Sequence, residues 1–198
     1  MHSSVRIGGA GNYLRLSQVK VGGKNRCDTE WGSYLEDYFN ATMKREAHPT
    51  DATLRQWSEA AVYTYDDNGQ LSFVRAVPDS GAGPCWAIVN HAGSRLYATN
   101  TGDNSIAVYD LADPLNPVQI QHFVMASTTG AAFSTVIDHS DSWIYVSSEQ
   151  SSASATPAAN AFHALKVAAD GTLTEPFSPT VLPVSGATPV RVQGITVF

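Results

Sequence analysis

Hydrophobic positions in this chain fall in short alternating runs rather than at helical spacing. Arg95 to Thr99 (RLYAT) and Ser105 to Leu111 (SIAVYDL) are rich in β-branched and aromatic residues and are bounded by Gly, Asn, Asp and Pro, which predicts β-strands. Turn chemistry fills the gaps. Asn68-Gly69 and Asp170-Gly171 are strong hairpin signals, because these residues accept the positive φ of tight hairpin turns. His91-Ala92-Gly93-Ser94 and His139-Ser140-Asp141-Ser142 place small or carbonyl-bearing residues where antiparallel strands reverse.

The runs also recur. Cys85 to Asn100 (CWAIVNHAGSRLYATN) returns 48 residues later as Phe133 to Ser148 (FSTVIDHSDSWIYVSS), so that Ile88 meets Val136, Asn90 meets Asp138, His91 meets His139 and Tyr97 meets Tyr145. A shift of 105 sets Ser80 to Pro84 on Ser185 to Pro189, a shift of 102 sets Val62 to Leu71 on Ala164 to Leu173, and a shift of 44 sets Tyr65-Asp66 on Tyr109-Asp110. A period in this range marks stacked supersecondary units. Four strands per unit make each one a propeller blade. The pattern therefore predicts an all-β fold: a β-propeller of four-stranded antiparallel blades, forming a partial ring of about three to four blades. Whole blades are expected over residues 84–130 and 131–186, the second swollen by the Ser/Ala-rich loop Glu149 to Asn160, and residues 187–198 supply a closing strand. Ala60 to Val77 supplies the outer two strands of an earlier blade, so residues 60–198 read as blades.

Residues 1–59 do not repeat. Leu14, Leu16, Val19 and Val21 alternate as in a partial blade, whereas Trp31, Leu35, Tyr38, Phe39 and Met43 stand at helical spacing and predict a short helical insertion over Trp31 to Arg45. Pro49 to Trp57 makes another turn of helix, with Thr50 or Asp51 as its cap. Gly8-Gly9-Ala10-Gly11 after Val5-Arg6-Ile7 touches the dinucleotide-binding pattern, but position 14 is Leu rather than the third glycine; a glycine-rich turn is the plainer reading.

Closed propellers take about four to eight blades. A chain of 198 residues holds about four at most at about 40 to 50 residues each. Incomplete rings leave strand edges open, so either missing N-terminal blades or a protein partner is expected to complete this one.

Composition narrows the partners. With 43% hydrophobic and 15% charged residues the chain has the make-up of a folded protein, and no apolar run approaches the ~20 residues that span a bilayer. The net charge of −6 disfavours a nucleic-acid partner, which calls for a basic face. The two cysteines leave two readings open: a Cys27–Cys85 disulfide in an oxidising compartment, or Cys85 packed as a small hydrophobe beside Trp86. No secretory leader pattern stands at Met1.

Gly83-Pro84, Ile88 to Asn100 (IVNHAGSRLYATN) and Asp103 to Asp110 (DNSIAVYD) together resemble the blade consensus of the lactonase family of seven-bladed propellers, the 6-phosphogluconolactonase-like group. Tyr63 to Asp66, Leu71 and Gln193 to Phe198 are similar to other parts of that family, and the likeness covers about residues 60 to 198. It implies the C-terminal portion of such a ring, and a hydrolase acting on a sugar or organic-acid lactone without a cofactor. The matched residues are those that build blades, so the family's chemistry does not transfer residue by residue. A noncatalytic propeller serving as a binding or surface scaffold is the alternative.

Propeller geometry nominates the site. Loops joining second to third strands, and those joining one blade to the next, open on one face around the channel. Here these are Asn100 to Asn104 and Glu149 to Asn160, with Trp86, Ser134 and Arg191 early in first strands. Lactone hydrolysis needs a base to activate water and donors for the oxyanion. Asp103 and Glu149 are the candidate catalytic residues, and Trp86, Asn100 and Arg191 the candidate substrate-binding residues, with Arg191 meeting a carbohydrate acid. Plainer roles stand beside each: Asp103 tying its own loop, Glu149 solvated, Trp86 in the core between blades, Arg191 paired with a carboxylate. His91 and His139 share one turn position, which reads as structural, and Asp138-His139 alone does not make a metal site.

Overall fold

The computed structural model describes residues 4–7, 12–18, 58–67, 70–126, 130–149, 160–182 and 194–197. Thirteen strands run through them: β1 (Ser4–Ile7), β2 (Asn12–Gln18), β3 (Ser58–Tyr65), β4 (Leu71–Pro78), β5 (Pro84–Val89), β6 (Arg95–Asn100), β7 (Ser105–Asp110), β8 (Val118–Val124), β9 (Ala131–Ile137), β10 (Trp143–Glu149), β11 (Ala161–Val167), β12 (Leu173–Thr174) and β13 (Thr180–Val181). They form three sheets in the orders β1-β2-β3-β4, β5-β6-β7-β8 and β9-β10-β11-β12, with β13 also on β11. Every pairing is antiparallel. The chain is thus all-β, a partial β-propeller ring of four-stranded blades, with three blades among the described residues. We number them 1 to 3.

The first strand of each blade lies innermost. β5 packs beside β1 and β2 on one side and beside β9 on the other, which arranges the sheets radially. β3 begins at Ser58 and pairs along β2, so one sheet draws on residues before and after position 59. The helix expected over Trp31 to Arg45, the turn capped by Thr50 or Asp51, and Gly8 to Gly11 lie outside the described residues. The dinucleotide reading fails on its surroundings: Asn12–Gln18 is a strand paired antiparallel to Ser4–Ile7, where the fingerprint requires a helix.

Two apolar clusters hold the blades together. Between blades 1 and 2 lie Ala60, Val62, Val77, Ala87, Leu96, Ala98, Ala107, Tyr109 and Leu111. Between blades 2 and 3 lie Tyr97, Ile106, Val108, Met125, Ala132, Ile137, Ile144, Val146, Leu165 and Leu173. Alternate residues of β6 and β7 feed opposite clusters, as a strand buried on both faces requires. Burying one such side chain stabilises by about 1.5–3 kcal/mol, so these contacts are the main cohesive force of the partial ring. Cys85 is buried and is not a free thiol, while Cys27 lies outside the described residues.

The sequence repeat is a repeat of hydrogen bonds. In blade 2 Asn90 Oδ1 accepts from the backbone N–H groups of Ser94 and Arg95 at 2.8 and 2.9 Å. In blade 3 Asp138 Oδ1 accepts from Ser142 and Trp143 at 2.7 and 2.8 Å. Gly93 and Asp141, equivalent under the 48-residue shift, both adopt positive φ, at 69° and 56°. The recurring histidines meet there: the rings of His91 and His139 lie 5.2 Å apart edge to face, and His91 Nδ1 is 2.6 Å from Asp141 Oδ1.

Candidate functional site

Strands β6 and β10 end at the same face of the molecule. Asn100 closes β6 and Glu149 closes β10, and the blade-linking loops meet the loops that follow these strands. Thr101 and Gly102 donate backbone N–H bonds to Gly83 and Ala82, Met125 donates to Asn104, and Leu182 donates to Asn160. Gly102 is held so close that a Cβ on it would stand 2.7 Å from the Ala82 carbonyl.

Blade 2 carries one polar network on this face. Asp79 Oδ1 accepts from Gly81 N at 2.8 Å and from Asn100 Nδ2 at 3.1 Å; that amide also reaches Ser105 Oγ at 3.2 Å. Ser105 donates to Asp103 Oδ1 at 2.7 Å, and His122 Nε2 lies 2.8 Å from Ser105 Oγ and 3.1 Å from Asp103 Oδ2. Because the carboxylate accepts only and the Ser105 proton is committed, His122 Nε2 must carry a hydrogen. One nitrogen thus serves both partners, which fastens the loop and does not relay a proton. Asp79 is 7% exposed and Asn100 is fully buried, yet Asp79 Oδ2 and Asn100 Oδ1 have no hydrogen-bond partner. Burial pushes the Asp79 carboxyl above its ordinary range, against the lowering effect of its bonds from Gly81 and Asn100.

Blade 3 carries a second network with different connectivity. Ser148 Oγ lies 2.7 Å from His163 Nε2, and His163 Nδ1 lies 2.7 Å from Glu175 Oε1. Glu175 Oε2 in turn accepts from Ala126 N at 2.7 Å, on the loop arriving from blade 2. With a hydrogen on His163 Nδ1 donated to Glu175, Nε2 is the acceptor facing Ser148 Oγ, the order of a nucleophilic triad; Ser148 Oγ also lies 3.5 Å from Asn104 Oδ1. Ser148 and His163 are both fully buried. The polar side-chain atoms of Ser148, His163 and Glu175 are all matched within the protein, so the network fastens β10, β11 and the segment after β12 to the neighbouring blade.

The nominated residues divide. Asn100 and Asp103 belong to one network through Ser105, with both Asp103 carboxylate oxygens engaged. Trp86 is half-buried on β5, its ring 6.2 Å from that of Phe133 on β9, between blades 2 and 3. Glu149 is 3% exposed, so it is not solvated. Its counterpart in blade 2 is Thr101, whose hydroxyl donates to the Ala132 carbonyl at 2.8 Å. Arg191 lies outside the described residues. Sequence reasoning missed Asp79, His122, His163 and Glu175. The available signal was a histidine at an inward position of an alternating strand, His163 in Ala161–Val167 (AFHALKV), which demands polar partners. Among the described residues no group of three or more His, Cys, Asp or Glu side chains is placed to hold a metal ion, and no helix is long and apolar enough to cross a membrane.

No family model and no curated protein matches the sequence. Solved structures do match. The chain is similar to the periplasmic gluconolactonase of Pseudomonas aeruginosa, with a TM-score of 0.52 and 16% identity over 65% of this chain and 37% of that one. A protein from Lactobacillus plantarum matches with a TM-score of 0.52 and 20% identity, over 67% of this chain and 40% of that one. A Bacteroides fragilis protein described as a candidate 6-phosphogluconolactonase matches with a TM-score of 0.51 and 15% identity, over 71% and 46%. The chain spans less than half the length of each of these three structures. At these identities the likeness shows the fold alone: a lactonase-like propeller fold.

Proposed function

We propose that this chain serves in a lactonase-like hydrolase that opens a sugar or organic-acid lactone. The observation that carries the reading is Glu149. Blade 3 places a buried carboxylate at the loop face where blade 2 has the loop-tying hydroxyl of Thr101, and a departure from the repeat at that face is where chemistry is expected. The gluconolactonase among the structural neighbours supports the same class of substrate.

In this reading the Glu149 carboxylate removes a proton from water as the water oxygen attacks the lactone carbonyl. The tetrahedral oxyanion collapses, the ring C–O bond breaks, and the proton passes to the departing alkoxide. Asp103 is the second carboxylate of the site. Trp86 offers an aromatic face to the sugar ring, Asn100 Oδ1 is an acceptor with no protein partner, and Arg191 binds the acid product. Titrating the acid released from a panel of sugar lactones tests this, and a rate equal to that of buffer for every member would overturn it. The second reading, a noncatalytic scaffold, is favoured by the double engagement of Asp103 with Ser105 and His122. It expects a stable partner in pull-down experiments that persists when Asp103 and Glu149 are both replaced by Ala.

A further inference from the structure

The recurring histidines come together at the end of the blades away from the loop face. His91 stands in the turn from β5 to β6 and His139 in the turn from β9 to β10, so one comes from blade 2 and the other from blade 3. Both are exposed, and their rings lie 5.2 Å apart with planes at 68°. Asp141 fixes the first of them. Its Oδ1 lies 2.6 Å from His91 Nδ1 and accepts from His91 N at 3.0 Å, while Oδ2 accepts from Ala92 N at 3.3 Å. Despite a burial penalty that alone would raise it, these bonds hold the Asp141 carboxyl below its ordinary range.

An ionised carboxylate only accepts, so the hydrogen of the 2.6 Å contact sits on the imidazole Nδ1. Neutral His91 then carries its lone pair on Nε2, the nitrogen turned away from Asp141. A carboxylate on one imidazole nitrogen is the arrangement that sets the tautomer and orientation of a metal-binding histidine and raises the basicity of the other nitrogen. The His139 ring touches His91 and forms no hydrogen bond among the described residues. The repeat thus supplies both imidazoles, and a departure from it supplies the carboxylate: Asp141 stands where blade 2 has Gly93 and keeps its positive φ, a conformation that Asp tolerates.

We propose that His91 and His139 form a two-histidine site for a divalent transition ion of the zinc class, which clamps blade 2 to blade 3. The spacing fits. With nitrogens about 2.0–2.1 Å from a tetrahedral ion, two imidazole rings that share it stand about 5 Å apart between centroids, and these rings are 5.2 Å apart. Imidazole suits such ions, whereas calcium and magnesium take oxygen ligands. Two protein ligands leave the other positions to water, so the site is open and its ion exchangeable, unlike a closed four-ligand structural site. The other described histidines, His122 and His163, are tied into the polar networks of blades 2 and 3, and Cys85 is not a free thiol. The site lies at the opposite end of β6 and β10 from Asn100 and Glu149, and it does not depend on the lactonase reading.

Equilibrium dialysis of the tag-free 198-residue chain against Zn²⁺ tests the site. The wild type should take up one zinc ion per chain in a saturable way. His91→Asn and His139→Asn, both at exposed positions, should keep the wild-type circular dichroism and lose that ion. Asp141→Asn, which tolerates the same positive φ, should bind about 10- to 100-fold more weakly, the usual cost of removing the partner that orients a ligand. Zinc should also raise the urea midpoint of the wild type and leave those of the two histidine variants unmoved, because an ion held only by the folded chain stabilises it. A wild type with no saturable zinc overturns the proposal, and so does any of the three variants binding as tightly as the wild type.

Discussion

Asn90 and Asp138 differ by one polar atom and build the same turn. Each carbonyl-type oxygen gathers the two N–H groups that open the next strand, so the repeat keeps a hydrogen-bonding role while the residue changes. The charge then matters. Despite a burial penalty that alone would raise it, bonds from Ser140, Ser142 and Trp143 hold the Asp138 carboxyl below its ordinary range. A depressed folded value means stability that is present above the unfolded carboxylate value of about 3.9 and lost as pH falls through the folded one. Asp138→Asn cannot titrate, so melting curves from pH 6 to pH 2.5 should show the wild type losing its advantage over the variant in the acid range. Asp79 has the opposite sign. Its carboxyl is raised by burial, so the fold holds the proton more tightly than the unfolded chain does, and the stability this adds is lost as pH rises through the folded value. Asp79→Asn keeps the Oδ1 acceptor and should melt higher than wild type at pH 7, on the order of 1 kcal/mol for an unpartnered buried oxygen, with the gain shrinking as pH falls toward 4. A gain that grew on acidification would contradict the assignment.

At the scale of elements, the strands of blades 2 and 3 were legible because alternation and turn residues are local signals. SIAVYDL declares its pleat within seven residues, and Asn100 and Glu149 close β6 and β10, the boundaries that loop chemistry indicates. The polar networks were not legible for the same reason. Ser148, His163 and Glu175 stand 15 and 12 residues apart in sequence, and what joins them is the pairing of β10 with β11 and the return of the chain beyond β12. Asp103 shows the intermediate case: its bond to Ser105 is two residues away and was anticipated as loop-tying, whereas its contact with His122 depends on β8 folding back beside β7. The blade 3 network makes a stability claim. Ser148→Ala leaves His163 Nε2 buried without a donor and should cost about 1–3 kcal/mol in urea unfolding, while Ser148→Thr, which keeps the hydroxyl, should recover most of that loss. Equal stability of Ser148→Ala and wild type would remove the network from the list of forces that hold the blades.

Over the whole molecule, the repeat announced how the chain packs far better than what it does. Its shared positions, Ile88 with Val136 and Tyr97 with Tyr145, lie in strands, and Ile88 and Tyr97 pack between blades 2 and 3, so their chemistry is that of packing. Among the positions where the copies part, Thr101 with Glu149 and Asn100 with Ser148 lie on the loop face. That difference is the physical reason to seek catalysis there, and the proposed lactonase reading names the substrate class to try. The most direct measurement is the rate of acid release from glucono-lactone by the wild-type chain and by Glu149→Gln at equal concentration. Turnover by the wild type and a loss of about 100-fold or more in kcat for the variant are expected, the usual contribution of a positioned general base. Equal rates for the two proteins, or a wild type no faster than buffer, would contradict it.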